Sequence, residues 1–373
     1  MYKYRQLVYP RKQRLCRAHK TCWAAGMLVV VVVAAVAAAS WWWLYASWRP
    51  AAPGPAIRAS AGAVWPQPRH LVKTRDCFAL SPDTFKFTVT GAACEVLVAA
   101  LPRYDLVLRR EAAVDVPTAA AGVEAPRQNL SGLHITVNHC EAWPGPHMDE
   151  TYRLSIVYNA SVAAPVASLD APSVWGALRG LETFVQLLSP GGSGSQLLVN
   201  ASEVQDGPRF PHRGLLLDTS RHFLPAADIL LELDAMAAVK LNVLHWHIVD
   251  DQSFPWQSAR FPELSGKGAY HPRLVYTAQD VRNIIEHARL RGIRVIPEFD
   301  TPGNLSRHEG HTRSWGEGRP ELLASCGDGT FANIDPTKVE NLAFLRQLFA
   351  EVAASFPDSA LHLGGDEVHS LCW

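Results

Sequence analysis

From Phe210 onward the chain alternates fully apolar segments with helically spaced ones, and each apolar segment ends in acids. The apolar segments are RGLLLDTS (213–220), NVLHWHIVD (242–250), RGIRVIPEFD (291–300) and ALHLGGDEV (360–368). Between them, Ala226–Leu241, Thr277–Leu290 and Val339–Ala354 carry the spacing of amphipathic helices. A strand without polar alternation is buried on both faces, so this order predicts a parallel sheet covered by helices. The acids stand at the carboxyl ends: Asp218, Asp250 with Asp251, Glu298 with Asp300, and Asp366 with Glu367. Polar groups spread over several strand ends fit an α/β fold of the (β/α)8 TIM-barrel type. An open doubly wound sheet shares the alternation but gathers its site at one switch point. No Gly-x-Gly-x-x-Gly opens a helix here, which argues against a dinucleotide fold. Four strand–helix units can be counted where a closed barrel needs eight. The expectation is therefore a partial barrel over 208–373, with raw sheet edges, poor solubility and little activity of its own.

Residues 65–207 read differently. FKFTVTG (85–91), LHITVN (133–138) and TYRLSIVY (151–158) alternate apolar and polar residues, as half-buried strands do. Ala171–Leu188 has helical spacing, Pro-Gly-Gly-Ser-Gly (190–194) breaks it, and QLLVN follows as a strand. A small accessory α/β domain with an antiparallel sheet is expected, without a catalytic cluster of its own.

The N-terminus sets the compartment. Residues 1–23 form a basic tail carrying Lys3, Arg5, Arg11, Lys12, Arg14, Arg17 and Lys20, and no acid precedes Asp76. Residues 24–47 contain no charge and exceed the roughly 20 residues that cross a bilayer. Trp41, Trp42, Trp43 and Tyr45 stand at the far end, where rings suit the headgroup layer. The reading is a signal anchor with a cytoplasmic tail: a single-pass type II membrane protein whose catalytic part faces the lumen or the outside. A cleaved signal sequence, giving a secreted or lysosomal protein, is the alternative. Residues 48–64, rich in Pro, Ala and Gly, read as a linker. The sequons at Asn129, Asn159, Asn200 and Asn304 agree with this route as glycosylation candidates. Five cysteines, Cys77, Cys94, Cys140, Cys326 and Cys372, follow the anchor, where disulfides persist, and their odd number leaves one over. The 35 basic residues balance the 35 acidic ones, which argues against a nucleic-acid partner.

The strand ends carry the chemistry. Adjacent acids at a buried strand end repel each other, and burial penalises ionising both, so one stays protonated while the other is charged. That suits acid catalysis of glycoside cleavage, with Glu367 as proton donor and Asp366 ionised. Arg213 offers a rigid fork of donors suited to sugar hydroxyls, although a surface ion pair is an equal use for it. His245 and His247 share one strand face and could bind a metal together with His311 or His362. They could equally pack beneath the site as hydrogen-bond donors. Asp250 at the mouth is placed to orient a histidine, and His311 follows the sharp Thr301-Pro-Gly turn. Gly364 and Gly365 let a substrate or backbone approach closely.

The chain resembles the family 20 glycoside hydrolases, the β-N-acetylhexosaminidases, and among them the eukaryotic lysosomal type. The matching segments include WPQP (65–68), RGLLLDTSRHF (213–223), LNVLHWHIVDDQSFPW (241–256), ARLRGIRVIPEFDTPG (288–303) and HLGGDEV (362–368). The resemblance implies removal of terminal β-linked N-acetylglucosamine or N-acetylgalactosamine, with retention and no cofactor or metal. It implies that Glu367 is the general acid and Asp366 orients the substrate acetamide. It further implies that Asp250 and His311 tune the acid, that Arg213 grips sugar hydroxyls, and that His247 supports them. Disulfides Cys94–Cys140 and Cys326–Cys372, and a homodimer, follow from the same resemblance. The stretch 304–310 between the turn and His311 departs from the family pattern. A metal-dependent barrel hydrolase and an inactive sugar-binding homologue remain the alternatives.

Overall fold

The computed structural model describes residues 64–92, 94–114, 126–157, 165–191, 196–302, 313–325 and 331–366, all within one compact unit, Ala59–Trp373. The basic tail, the apolar run and the linker lie outside the described residues. No helix among the described residues is long and apolar enough to cross a membrane.

The first layer is an eight-stranded mixed sheet. Its strands are β1 (His70–Leu80), β2 (Lys86–Gly91), β3 (Gln128–Asn129), β4 (Gly132–His139), β5 (Tyr152–Ile156), β6 (Val166–Ser173), β7 (Ser189–Pro190) and β8 (Leu197–Asp206). The order is β2-β4-β6-β5-β8-β1-β3, with β7 pairing β8. It is antiparallel across β6-β5-β8-β1 and parallel at β2-β4-β6 and at β1-β3. Alternate residues of β4 and β5, such as Leu133, Ile135, Val137, Leu154 and Ile156, are buried against two helices, α1 (Glu95–Ala112) and α2 (Val174–Gln186).

The helix expected from Ala171 starts at Val174. Residues 171–173 complete β6, and the Ser173 hydroxyl accepts the Trp175 and Gly176 N–H groups as an N-cap. Helix α2 is buried nearly all round, because its other side meets the second layer. There Arg179 donates to the Arg291 and Gly292 carbonyls at 3.2 and 2.9 Å. A helix buried on nearly every side suits such a sandwiched position, and its buried Arg179 is paired with Glu150.

The second layer holds three parallel strands, β9 (Gly214–Asp218), β10 (Val243–Val249) and β11 (Arg294–Phe299), in the order β11-β10-β9. The central β10 is buried almost throughout, its apolar residues flanking the two site histidines, His245 and His247. The segment around His362 runs parallel beside β11. His362 N–H donates to the Pro297 carbonyl (3.1 Å) and Phe299 N–H to the His362 carbonyl (3.2 Å). Helices α3 (Ala226–Ala238), α5 (Ala278–Arg289) and α7 (Val339–Ser355) connect these strands, while the short α4 (Pro262–Gly268) and α6 (Arg313–Gly318) pack on each other in the loops. Helix α5 starts at a capping box in which Thr277 and Asp280 satisfy each other's backbone N–H groups. Repeated strand–helix units of one sense give a (β/α) layer with every strand's carboxyl end on one side, and that side carries the acids.

Candidate active site

Strand β9 ends at Asp218, whose Oδ1 accepts the backbone N–H groups of Ser220 (3.1 Å) and Arg221 (3.0 Å). This turn folds Arg221 back over the strand ends. Its Nη1 donates to Asp218 Oδ2 and its Nε to Gln252 Oε1, both at 2.7 Å, while Nη2 lies 2.7 Å from Asp250 Oδ2. Three of the five guanidinium N–H groups thus face acceptors among the described residues. Although burial opposes it, the hydrogen bonds from Arg221 hold the Asp218 carboxyl below its usual range.

Asp250 sits fully buried at the end of β10. Its N–H donates to Ser220 Oγ (2.9 Å) and its carbonyl accepts from Ser314 Oγ (2.6 Å), so the turn after β9 and helix α6 both fix its position. His247 Nε2 lies 3.1 Å from Asp250 Oδ2 and its Nδ1 lies 3.8 Å from Glu298 Oε2. Burial favours a neutral ring, but the Asp250 and Glu298 carboxylates outweigh it and raise His247 above the ordinary histidine value. His245 behaves oppositely: burial lowers it despite Glu298 Oε2 at 2.5 Å. The other oxygen, Glu298 Oε1, faces His362 Nδ1 at 3.0 Å. Two clusters, His245–Glu298–His362 and His247–Asp250–Asp300, each bring their ligand-type atoms within 4.8 Å of one another. Ion pairs between imidazole and carboxylate account for much of that closeness without a cation.

At the end of β11, Asp300 is buried and its Oδ1 accepts the Gly365 N–H at 2.8 Å. Gly364 and Gly365 adopt φ values of +68° and +103°. A Cβ on Gly364 would stand 1.8 Å from Asp300 Oδ1. The close approach that the paired glycines foretold is therefore made by the Asp300 carboxyl, with the exposed Asp366 next along the chain. Burial, with the Asp250 and Asp366 charges alongside, pushes Asp300 up to about 6 against the pull of the Gly365 N–H.

Among the expected residues, Asp250, His247 and Asp366 come to one end of the sheet, the carboxyl end. Arg213 does not, and its assignment to the sugar is corrected by position. It precedes β9, at the opposite end of the strand and about 15 Å along it from Asp218. Its guanidinium is spent on the buried Glu150 and on the Lys240 and Phe210 carbonyls. Arg221 occupies the carboxyl end instead. Strand direction alone distinguishes the two, since polar function gathers where the strands end and not where they begin. Glu298 as the carboxylate shared by three imidazoles, and Asp300 as a buried acid, needed the register of β10 against β11 (His247 opposite Glu298) to be seen.

Glu367, His311, Cys326, Cys372, Asn159 and Asn304 lie outside the described residues. Cys94 and Cys140 are joined as a disulfide, and Cys77 is a buried thiol with its Sγ 3.7 Å from the Phe78 carbonyl. Asn129 is exposed, whereas Asn200 is half-buried and donates to the Thr74 carbonyl (3.0 Å).

Residues 210–373 match the family model described as glycosyl hydrolase family 20, catalytic domain, and residues 64–187 match one described as beta-acetyl hexosaminidase like. The chain is 46% identical over 341 residues to the cat beta-hexosaminidase subunit beta, covering 87% of this chain and 60% of that protein. To the bovine beta-hexosaminidase subunit alpha it is 43% identical over 331 residues, covering 85% and 60%. Among solved structures, the chitobiase of Flavobacterium johnsoniae superposes with a TM-score of 0.68 at 31% identity, over 82% of this chain and 45% of that one. The chain thus spans about 60% of the length of these two mammalian relatives. With both family models matched in order and the parallel layer in place, the chain belongs to glycosyl hydrolase family 20.

Proposed function

We propose that the intact protein is a retaining β-N-acetylhexosaminidase that removes terminal N-acetylglucosamine or N-acetylgalactosamine from glycoconjugates. The observation that supports it most is the meeting of Arg221, Asp250, Asp300 and Asp366 at the carboxyl ends of neighbouring parallel strands. Donors and acceptors there are preorganised around one place, which is how a site stabilises charge as it develops.

In this reading Asp366 orients the substrate acetamide, whose carbonyl oxygen attacks the anomeric carbon. Glu367 donates its proton to the departing glycosidic oxygen as that bond breaks, which leaves a cyclic oxazolinium. The same carboxylate then takes a proton from the water that opens the ring. Two inversions give net retention, and the nucleophile belongs to the substrate; family 20 is one of the known exceptions to the two-carboxylate scheme. Arg221, fixed at the strand ends by Asp218, Gln252 and Asp250, grips the sugar hydroxyls. Asp250 with His247 is the described part of the charge relay, and His311 is proposed to join it.

The Cys94–Cys140 disulfide supports an oxidising compartment. The uncharged run 24–47 supports a membrane anchor, and the family resemblance supports a homodimer. The reading is tested by chromogenic β-GlcNAc and β-GalNAc glycosides. The intact protein should release the chromophore, and Glu367→Gln should lower the rate by on the order of 100-fold or more. Equal rates for both proteins would remove Glu367 as the acid.

A further inference from the structure

The solvent face of the first-layer sheet holds a depression of about 390 Å³ that the chemistry above does not use. It lies over β5, β6, β8 and the start of β1, and its volume is within the range of ligand sites. Its floor is a built polar chain. Lys240, just past α3, adopts a φ of +59° and is 6% exposed. Its Nζ donates to Thr183 Oγ1 (2.6 Å) and to Tyr152 Oη (3.3 Å), and these two hydroxyls lie 2.5 Å apart. The Tyr152 hydroxyl in turn donates to Asp206 Oδ2 at 3.0 Å. Asp206 Oδ1 accepts the Arg69 backbone N–H at 3.1 Å. A buried ammonium therefore stands behind the carboxylate that meets the depression, and hydrogen bonds join every group between them.

The rim is exposed and uncommitted. Asp170, Arg153, Gln205 and His70 stand opposite one another in a row across β6, β5, β8 and β1. Neighbours in such a row are about 4.8 Å apart, close enough for Arg153 and Asp170 to pair. They do not: none of the four side chains makes a hydrogen bond or ion pair among the described residues. Charge around the depression is balanced, with Arg69 and Arg153 against Asp170 and Asp206. The carboxylates oppose a phosphate, and the guanidinium groups oppose a cation. Apart from Pro172 and the buried Tyr152, every lining side chain is polar, so a lipid or an apolar peptide face gains little there. Adjacent donors and acceptors on a neutral surface match vicinal hydroxyls, each of which gives one bond and accepts others.

We propose that this depression is an accessory glycan-binding site, which takes a neutral segment of the sugar chain of a substrate glycoconjugate. Asp170 and Asp206 accept from the sugar hydroxyls, while Arg153, Gln205 and Arg69 donate to them. The Lys240–Thr183–Tyr152 chain holds Asp206 in place beforehand, so that carboxylate loses little freedom when the glycan arrives. Contact through hydroxyls without a stacking ring binds weakly, which suits holding a branched substrate through repeated engagement. The inference takes its choice of occupant from the proposed action on glycoconjugates, whereas binding at the depression needs no hydrolysis.

The test has an arm that needs no catalysis. The probe is the trimannosyl N-glycan core, a pentasaccharide whose branches end in mannose and so offer no terminal N-acetylhexosamine. Saturation-transfer NMR on the intact protein should show saturable binding of this probe. Arg153→Ala and Asp170→Ala, both at exposed positions without partners, should each weaken it roughly 10-fold, the value of hydrogen bonds to a charged group. No saturable binding, or equal affinity in the parent and both variants, overturns the proposal. Displacement of the probe by inorganic phosphate would mark an anion site and overturn it too. Binding seen only after removal of the protein's own N-glycans would make one of those chains the occupant, against the assignment to a substrate. In the kinetic arm, Arg153→Ala should leave kcat/KM on a chromogenic β-GlcNAc monosaccharide unchanged. It should raise KM for a GlcNAc-terminated glycoprotein roughly 3- to 10-fold. Equal KM values for that glycoprotein would contradict a role in holding substrate. Absence of hydrolysis in the unaltered protein would overturn the proposed function, while the probe titration would still decide the site.

Discussion

The Arg213 guanidinium grips Glu150 through two parallel hydrogen bonds, Nη2 to Oε1 at 2.7 Å and Nη1 to Oε2 at 3.0 Å. Arg179 donates to the same carboxylate at 2.8 Å, and Asn242 to its Oε2 at 3.1 Å. One buried acid of the first layer therefore ties both the α2 helix and the amino end of β9. Despite burial, the Arg179 and Arg213 charges hold Glu150 below the usual carboxylate range.

Removing Glu150 leaves two cations without their partner, one of them almost fully buried. Glu150→Ala should lower unfolding stability by about 3–5 kcal/mol. Denaturant unfolding checks this, and a loss below 1 kcal/mol would contradict the tie. Arg213→Met should also destabilise, yet leave kcat/KM per folded molecule within about threefold, because distant sites act independently.

Arg221 should behave in the opposite way. Arg221→Lys cannot bridge Asp218 and Asp250 as the planar fork does, so kcat/KM should fall roughly 50-fold with little change in stability. Steady-state kinetics on a β-GlcNAc glycoside measures it. A mild effect here with a severe one at Arg213 would restore the assignment made from sequence.

These two arginines mark where the sequence was legible and where it was not. The rhythm of apolar strands and helices placed β9, β10 and β11 to within a few residues: β10 and β11 are buried and show no polar alternation, while β9, at the edge of the layer, keeps the same apolar run although half-exposed. The helix expected from Thr277 does start there, at the capping box Thr277 makes with Asp280. Helix α1 was missed, since Pro102 interrupts its sequence and six of its residues are charged. Strand β1 was missed because its first half is exposed and basic. At the site, residue type favoured Arg213 and Arg221 alike, and only the direction of the strand separates them. The bond from the Gly365 N–H to Asp300 Oδ1 joins residues 65 positions apart, and its cause is a backbone turn that no local pattern reports.

Stability should depend on pH through Asp300. Its native value, about 6, stands above the ordinary 3.8, so its contribution is fully present below about pH 4. The contribution is lost as pH rises toward 6, because the unfolded chain releases this proton first. After discounting for solvent near the exposed Asp366, the loss should be about 1–2 kcal/mol. Asp300→Asn should remove this part of the slope in unfolding measured between pH 4 and 7, and an unchanged slope would contradict it.

Gly364→Ala places a methyl group where Asp300 Oδ1 already stands, at a φ of +68°. The substitution should cost about 2 kcal/mol or more in stability. It should also lower activity by displacing Asp366, and a Tm and kcat equal to the parent's would refute the close approach.

The central claim is that the sugar's own acetamide is the nucleophile. It is tested most directly by comparing kcat/KM of the intact protein for two glycosides with one leaving group, a 2-acetamido-2-deoxy-β-glucoside and the matching β-glucoside. The account predicts a preference for the acetamido substrate on the order of 1,000-fold or more, with the β-anomer of the sugar as first product. Comparable rates on the two, or initial release of the α-anomer, would contradict it.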